Sequence, residues 1–104
     1  MRTDQNNYYV YIVTNSRKTT LYIGVTNNLT ARLREHWSNR GRPHTFAGKY
    51  FCFYLLYYET YPYIEDAIAR ETEIKKWNRK KKEDLINFRN KEWLFLNKIG
   101  RAHV

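Results

Sequence analysis

Two runs dense in aromatic and β-branched residues, Tyr8-Tyr9-Val10-Tyr11-Ile12-Val13 and Thr20-Leu21-Tyr22-Ile23-Gly24-Val25, flank the polar stretch Thr14 to Thr19. Such runs favour strands, and the polar stretch between them is rich in turn formers. An antiparallel hairpin is the simplest structure they can make. Side chains alternate faces along a strand. Tyr9, Tyr11 and Val13 therefore share one face of the first strand, and Tyr22 and Gly24 share one face of the second. With 104 residues in all, a chain this short makes one domain and buries only about two-thirds of its unfolded surface. The hairpin must carry much of the core.

The rest of the chain adds helices and one more strand. Asn27-Asn28 offers a helix N-cap, and Leu29, Leu33 and Trp37 then recur every fourth residue, predicting a helix that ends near Ser38. Asn39 to Lys49, with two glycines and a proline, reads as an exposed basic loop. Phe51 to Tyr58 predicts a third strand, apolar on both faces, hence central or well covered, and Pro62 breaks it. A second helix is expected from Ile64 to Asn78, with Ile64, Ala67, Ile68 and Ile74 on its buried side. Asp84 to Arg89 forms a short further helix, and Trp93 to Leu96 an apolar clamp. The order β-β-α-β-α-α predicts a small α+β domain, a three-stranded, mainly antiparallel sheet flanked by helices, over residues 1–98. The last residues, Ile99 to Val104, match the translation of a common short-read sequencing adapter with its in-frame stop, so they are read as a non-native tail.

Several classes fall away. The lone Cys52 excludes an internal disulfide framework and a Cys-rich zinc site. The first residues are polar and carry no apolar signal core. The longest apolar run, Tyr50 to Tyr58, is about half of a membrane-spanning helix. Ten Tyr, five Phe and three Trp argue against disorder. A soluble, cytoplasmic monomer with no membrane partner is the expectation, and a formal net charge of +9 points to a polyanionic partner.

Some residues are placed for chemistry. Tyr11 and Tyr22 put one phenol from each strand on one face. Arg32 and His36, four residues apart, project from one stripe of the first helix beside its apolar face. A guanidinium there can neutralise a phosphate, and an imidazole can relay a proton. Glu71 interrupts the buried stripe of the second helix. A carboxylate there needs compensation, either from a basic side chain such as Arg32 or from a divalent cation. Six cations lie within Lys75 to Lys82, among them Lys75, Lys76, Arg79 and Lys80. With Arg40, Arg42, His44 and Lys49 in the loop they could line a phosphate track.

Tyr9-Val10-Tyr11 followed by Tyr22-Ile23-Gly24, with Arg32 ten residues after Tyr22 and His36 four later, resembles the paired signature of the GIY-YIG nucleases. That family includes the N-terminal incision domain of the bacterial excinuclease, certain homing endonucleases and some restriction enzymes. The stretches Leu21 to Leu29 and Ala67 to Trp77 are similar to its small stand-alone bacterial members. The resemblance runs from residue 8 to about residue 96, and one departure is Tyr9, where the family has glycine, a change that would narrow the cleft.

The resemblance implies a metal-dependent DNA endonuclease, with RNA also compatible as substrate and DNA repair among the possible settings. Glu71 would hold one Mg²⁺ or Mn²⁺, Tyr11 and Tyr22 would be active-site phenols, Arg32 would steady the transition state and His36 would assist. Tyr11 is the expected base with Tyr22 assisting, and because a phenol's solution pKa is near 10, Arg32, a lysine or the metal would have to favour its phenolate. The family also uses an asparagine near the end of its core, a place that Asn87 or Asn90 fits, with Asn90 taken as the nucleic-acid contact. The competing reading is a non-catalytic, basic, aromatic module that binds nucleic acid on the same fold. A protein-interaction domain built on the apolar third strand is a third.

Overall fold

The protein's structure, a computed structural model, describes residues 7–97. Strands β1 (Tyr8–Thr14) and β2 (Leu21–Thr26) form the expected hairpin, followed by α1 (Leu29–Ser38), α2 (Phe46–Lys49), β3 (Tyr54–Tyr61), α3 (Ile64–Lys75) and α4 (Arg79–Arg89). The order fits the α+β expectation, with α2 as a short addition inside the segment expected to be a loop. The tail expected at 99–104 lies outside the described residues.

The hairpin turn is held locally. Asn15 Oδ1 accepts from the backbone N–H of Thr19 at 2.9 Å and of Thr20 at 3.2 Å, an arrangement that needs a short side-chain acceptor. β1 pairs antiparallel with both neighbours, so the sheet order is β2-β1-β3 and β1 is central. β3 is an edge strand, and its outer rim is met by the C-terminal segment. Leu96 N–H donates to Leu55 O at 2.8 Å, and the Asn97 side chain accepts from Leu55 N–H and donates to Phe53 O. An edge strand can therefore be as apolar as a central one, because its exposed backbone groups have partners.

The sheet separates two apolar layers. Val10, Ile12, Ile23, Leu56 and Tyr57 pack with Ala67, Ile74 and Ile86 of α3 and α4 on one face. Tyr11, Val13, Leu55 and Cys52 pack with Leu29, Leu33 and Ala47 of α1 and α2 on the other. A bulge between Ile12 and Val13 pairs Ile12 with Tyr57 and Val13 with Leu55, so Leu56 and Tyr57 both serve the α3/α4 layer. This irregularity gives β3 its unbroken apolar run. Cys52 is buried, which pushes its thiol up to about 11 and suits a small core residue.

Several sequence expectations change. Helix α3 stops at Lys75, short of the expected Asn78, and α4 starts at Arg79 and not at Asp84, because Asn78 caps it by accepting from Lys81 N–H. β3 begins at Tyr54, because Phe51 takes a left-handed backbone (φ 57°) straight after α2 and turns the chain before the strand. Trp37 is half-exposed, with the Arg40 guanidinium 3.8 Å from its ring. On α3 only Ala67 and Ile74 are buried, while Ile64 and Ile68 face outward. Between Ala67 and Ile74 the stripe carries Arg70, whose guanidinium donates to both carboxylate oxygens of Glu59 on β3, at 2.9 and 3.0 Å. Tyr57 and Tyr61 also donate to Glu59, at 2.5 and 2.6 Å. Burial alone would raise the Glu59 carboxyl, but Arg70 and the two phenols hold it below the usual carboxylate range. Burial and the bond to Glu59 push Tyr61 up to about 12. A fully bonded carboxylate thus fixes α3 to β3 where a hydrocarbon pair would otherwise pack.

Candidate active site

Register decides what faces what. Tyr11 pairs with Gly24 and Val13 with Tyr22, so the two phenols are diagonal neighbours on the α1 face, their ring centres 6.4 Å apart. Tyr11 fits because residue 24 is glycine. A Cβ there would lie 2.5 Å from the phenol's Cζ, deep inside van der Waals contact. Gly24→Ala is expected to displace the Tyr11 ring and to destabilise the fold by about 1–3 kcal/mol through overpacking. Urea unfolding of the variant checks this, and a midpoint equal to wild type would mean that the ring is not held there.

Helix α1 supplies the other side of the site. Asn28 caps it, its Oδ1 accepting from Ala31 N–H at 3.0 Å. Leu29 and Leu33 anchor the helix to the sheet. That anchoring brings Arg32 and His36 over the tyrosines. His36 Nε2 lies 2.9 Å from Tyr11 Oη, and Arg32 Nη1 lies 3.5 Å from the same oxygen. The Tyr22 ring packs edge-on against the His36 ring, 5.6 Å between centres.

Burial tunes these groups. Tyr11 is 0% exposed. Burial pushes its phenol up to about 12, further than Arg32 pulls it down, and the nearby charges of Tyr22 and Glu71 add to the rise. The phenolate that Arg32 was expected to favour at Tyr11 is therefore disfavoured in the free protein. Burial, with Arg32 beside it, lowers His36 to about 4, so its imidazole is neutral at pH 7. Tyr22 is only half-buried, and among the described residues no hydrogen bond holds its hydroxyl. The accessible phenol is Tyr22.

The His36 value carries a stability consequence. An unfolded histidine titrates near 6.5, so as pH falls the unfolded chain takes this proton first and folding weakens from about pH 6.5 down to about pH 4. Above and below that window the contribution is flat. Wild type is expected to lose about 2–3 kcal/mol more than His36→Gln protein between pH 7 and pH 4. Parallel denaturant titrations at the two pH values measure it, and equal losses would show that His36 is not buried as a neutral ring.

Glu71 lies on α3 with its side chain 17% exposed, and Lys75 Nζ sits 3.1 Å from Oε2. Its compensating cation is Lys75 and not Arg32, whose Nε pairs with Glu35 at 2.9 Å. Position i+4 on the same helix reaches the carboxylate more readily than a separate element does. Among the described residues no three His, Cys, Asp or Glu side chains gather into a metal-binding group.

The expected phosphate track is only partly assembled. Arg40, Arg42, His44 and Lys49 are exposed around α2, and Lys76 is exposed after α3. Lys80 is exposed but pairs with Asp84 at 3.2 Å. Arg79 pairs with Glu83 and donates to Thr19 O at 2.9 Å and Lys18 O at 3.0 Å. It ties α4 to the hairpin turn. Asn90 is a correction too. Its side chain is buried, donates to Leu56 O and Leu94 O, both at 2.9 Å, and accepts from Leu94 N–H at 3.0 Å. Both of its N–H groups are used inside the fold, so it fastens the C-terminal segment to β3 and does not present an amide to nucleic acid. Asn87 accepts from Trp93 Nε1. The bulk at Tyr9 is taken up against Tyr58, 6.2 Å between ring centres.

One face of the sheet, with α1 lying over it, thus brings together two phenols, an arginine and a neutral histidine. The family model of the GIY-YIG catalytic domain matches residues 7–84, and this chain belongs to that family of nucleases. Its relatives include small proteins designated UPF0213. One from Pediococcus acidilactici is 37% identical over 78 residues, covering 75% of this chain and 79% of that protein. Another from Haloquadratum walsbyi is 37% identical and covers 75% and 84%. The solution NMR structure of a UPF0213 protein from Bacillus halodurans is 26% identical, superposes with a TM-score of 0.53 and covers 94% of this chain and 98% of that one.

Proposed function

We propose that this protein is an endonuclease that hydrolyses phosphodiester bonds in DNA with one divalent cation, Mg²⁺ or Mn²⁺, held by Glu71. The observation that carries the reading is the bonded set Arg32–Tyr11–His36 with the accessible Tyr22 packed against it.

Glu71 suits such a cation. Lys75 lies on only one of its oxygens, and Mg²⁺ is commonly bound by one or two carboxylates with water and phosphate completing its shell. When bound, the cation would stabilise charge on the scissile phosphate and the leaving oxygen. Lys75 balances the carboxylate in the free protein and would release it when a cation binds. Arg32, fixed at one end by Tyr11 and flanked by Glu35, offers its remaining N–H groups to the equatorial phosphate oxygens. Losing it would cost on the order of 3 kcal/mol of transition-state stabilisation. Tyr22 presents the accessible phenol oxygen to the attacking water: having first given its own proton to solvent, it takes one from that water as the water oxygen attacks phosphorus. Tyr11 is enclosed, and its part is to hold Arg32 and His36. With His36 neutral and hydrogen on Nδ1, Nε2 accepts the Tyr11 proton while Tyr11 Oη accepts from Arg32. The roles expected for the two tyrosines are thereby exchanged.

The test is a nicking assay over duplex, flap, bubble and single-stranded DNA in Mg²⁺ and Mn²⁺. Metal-dependent cleavage is the expected result. Unaltered DNA after long incubation, together with salt-sensitive binding, would favour the non-catalytic module, and the same panel made in RNA decides between the nucleic acids.

A further inference from the structure

The ring of Tyr22 does not end at the phenol site. Phe46 of α2 stacks on it, with centres 6.0 Å apart and planes 25° from parallel, and Tyr50 follows Phe46 at 4.8 Å. Phe46 is 51% exposed and Tyr50 41%. Their support is packed into the fold. Ala47 and Gly48 between them are buried, and Thr45 Oγ1 accepts from Gly48 N–H at 2.9 Å. Gly48 packs so closely on the backbone carbonyls of Asn39 and Arg42 that a Cβ would lie 2.5 and 2.7 Å from them. Lys49 Nζ stands 5.4 Å from the Tyr50 ring, and Arg42 and His44 are exposed on the same segment.

We infer that Phe46 and Tyr50 form a stacking platform for a nucleobase that has left its own stack next to the scissile phosphate. The inference deepens the nuclease reading and rests on it. Exposed aromatic faces interleaved with cations match a strand that alternates π faces with phosphates. A fully apolar partner surface would leave Lys49 and Arg42 without counter-charges. A base in a continuous duplex has both faces covered by its neighbours, so the platform selects single-stranded or locally opened substrate. It lines up with Tyr22, so a base stacked on it sets the backbone at the reacting phenol.

The test measures binding of the full chain in EDTA, where cleavage is suppressed, by anisotropy of a labelled single-stranded DNA oligonucleotide and of its blunt duplex. Phe46→Leu and Tyr50→Leu are each expected to weaken single-strand binding about tenfold and duplex binding by less than about twofold. Phe46→Tyr keeps the π face and is expected to bind as wild type does. Melting temperatures should match, because both side chains project from a buried support. Single-strand affinity within about twofold of wild type in the leucine variants, equal losses on both forms, or no single-strand binding by wild type would each overturn the platform. A chain that binds in this pattern but never cuts in Mg²⁺ or Mn²⁺ keeps the platform and loses the nuclease reading.

Discussion

Glu71→Gln protein is expected to cut DNA at least about a thousandfold more slowly than wild type in Mg²⁺ while binding it undiminished in EDTA. The substitution keeps the size of the side chain and removes its charge. The folded state loses little, since among the described residues the carboxylate's ion pair is with Lys75 at 3.1 Å, an i,i+4 contact whose lysine is half-exposed. Such pairs contribute about 0–1 kcal/mol, so unfolding should shift by no more than that. A neutral amide is a weak ligand for a hard cation, and Lys75, left without its partner, adds repulsion to any metal that approaches. Both changes act on the loaded complex and spare the free protein. The comparison therefore separates a ligand from a scaffold residue. Cleavage at the wild-type rate would remove Glu71 from the scheme, and a large fall in stability would recast it as structural.

How much of this could be read before the structure depends on the range of the interaction. The strand alternation that puts Tyr11 and Tyr22 on one face is a local rule, and the observed register obeys it. The i,i+4 step that brings Arg32 and His36 together is equally local. The environment that tunes these groups is not. That Tyr11 is wholly enclosed, and so raised, follows from Gly24 and from the way α1 settles on the sheet. No pattern within either strand carries that information.

The same limit hid the Glu59–Arg70 lock, which joins β3 to α3 across a break at Pro62. One signal for it was present, since Arg70 lies three residues after Ala67 and four before Ile74, on the face that must be buried. The bulge at Ile12/Val13 put Leu56 and Tyr57 into one layer, because bulges arise from pairing and not from composition. Asn90 and Arg79 were legible as polar residues in a polar region, but their partners are backbone carbonyls of other elements. Polarity alone does not tell a phosphate ligand from a side chain that closes the fold.

The exchange of roles between the two tyrosines has its own expected result. Tyr22→Phe should lower the cleavage rate by about 100- to 1,000-fold, because the group lost is the hydroxyl that meets the water. Its ring contacts with His36 and Phe46 remain, so stability should be close to wild type. Tyr11→Phe should behave the other way. It removes the oxygen between Arg32 Nη1 and His36 Nε2, leaving two polar groups short of a partner. Loss of such bonds costs about 1–3 kcal/mol, so this variant should unfold at lower urea. Its rate should fall by only about tenfold, since Arg32 is still paired with Glu35. Single-turnover cleavage and urea unfolding of both variants give the answer. A larger rate loss for Tyr11→Phe, with stability unchanged, would restore Tyr11 as the group that acts on water. That outcome would also require the enclosed phenol to open to solvent when substrate binds, which hydrogen exchange at β1 and β2 in the presence of DNA would detect.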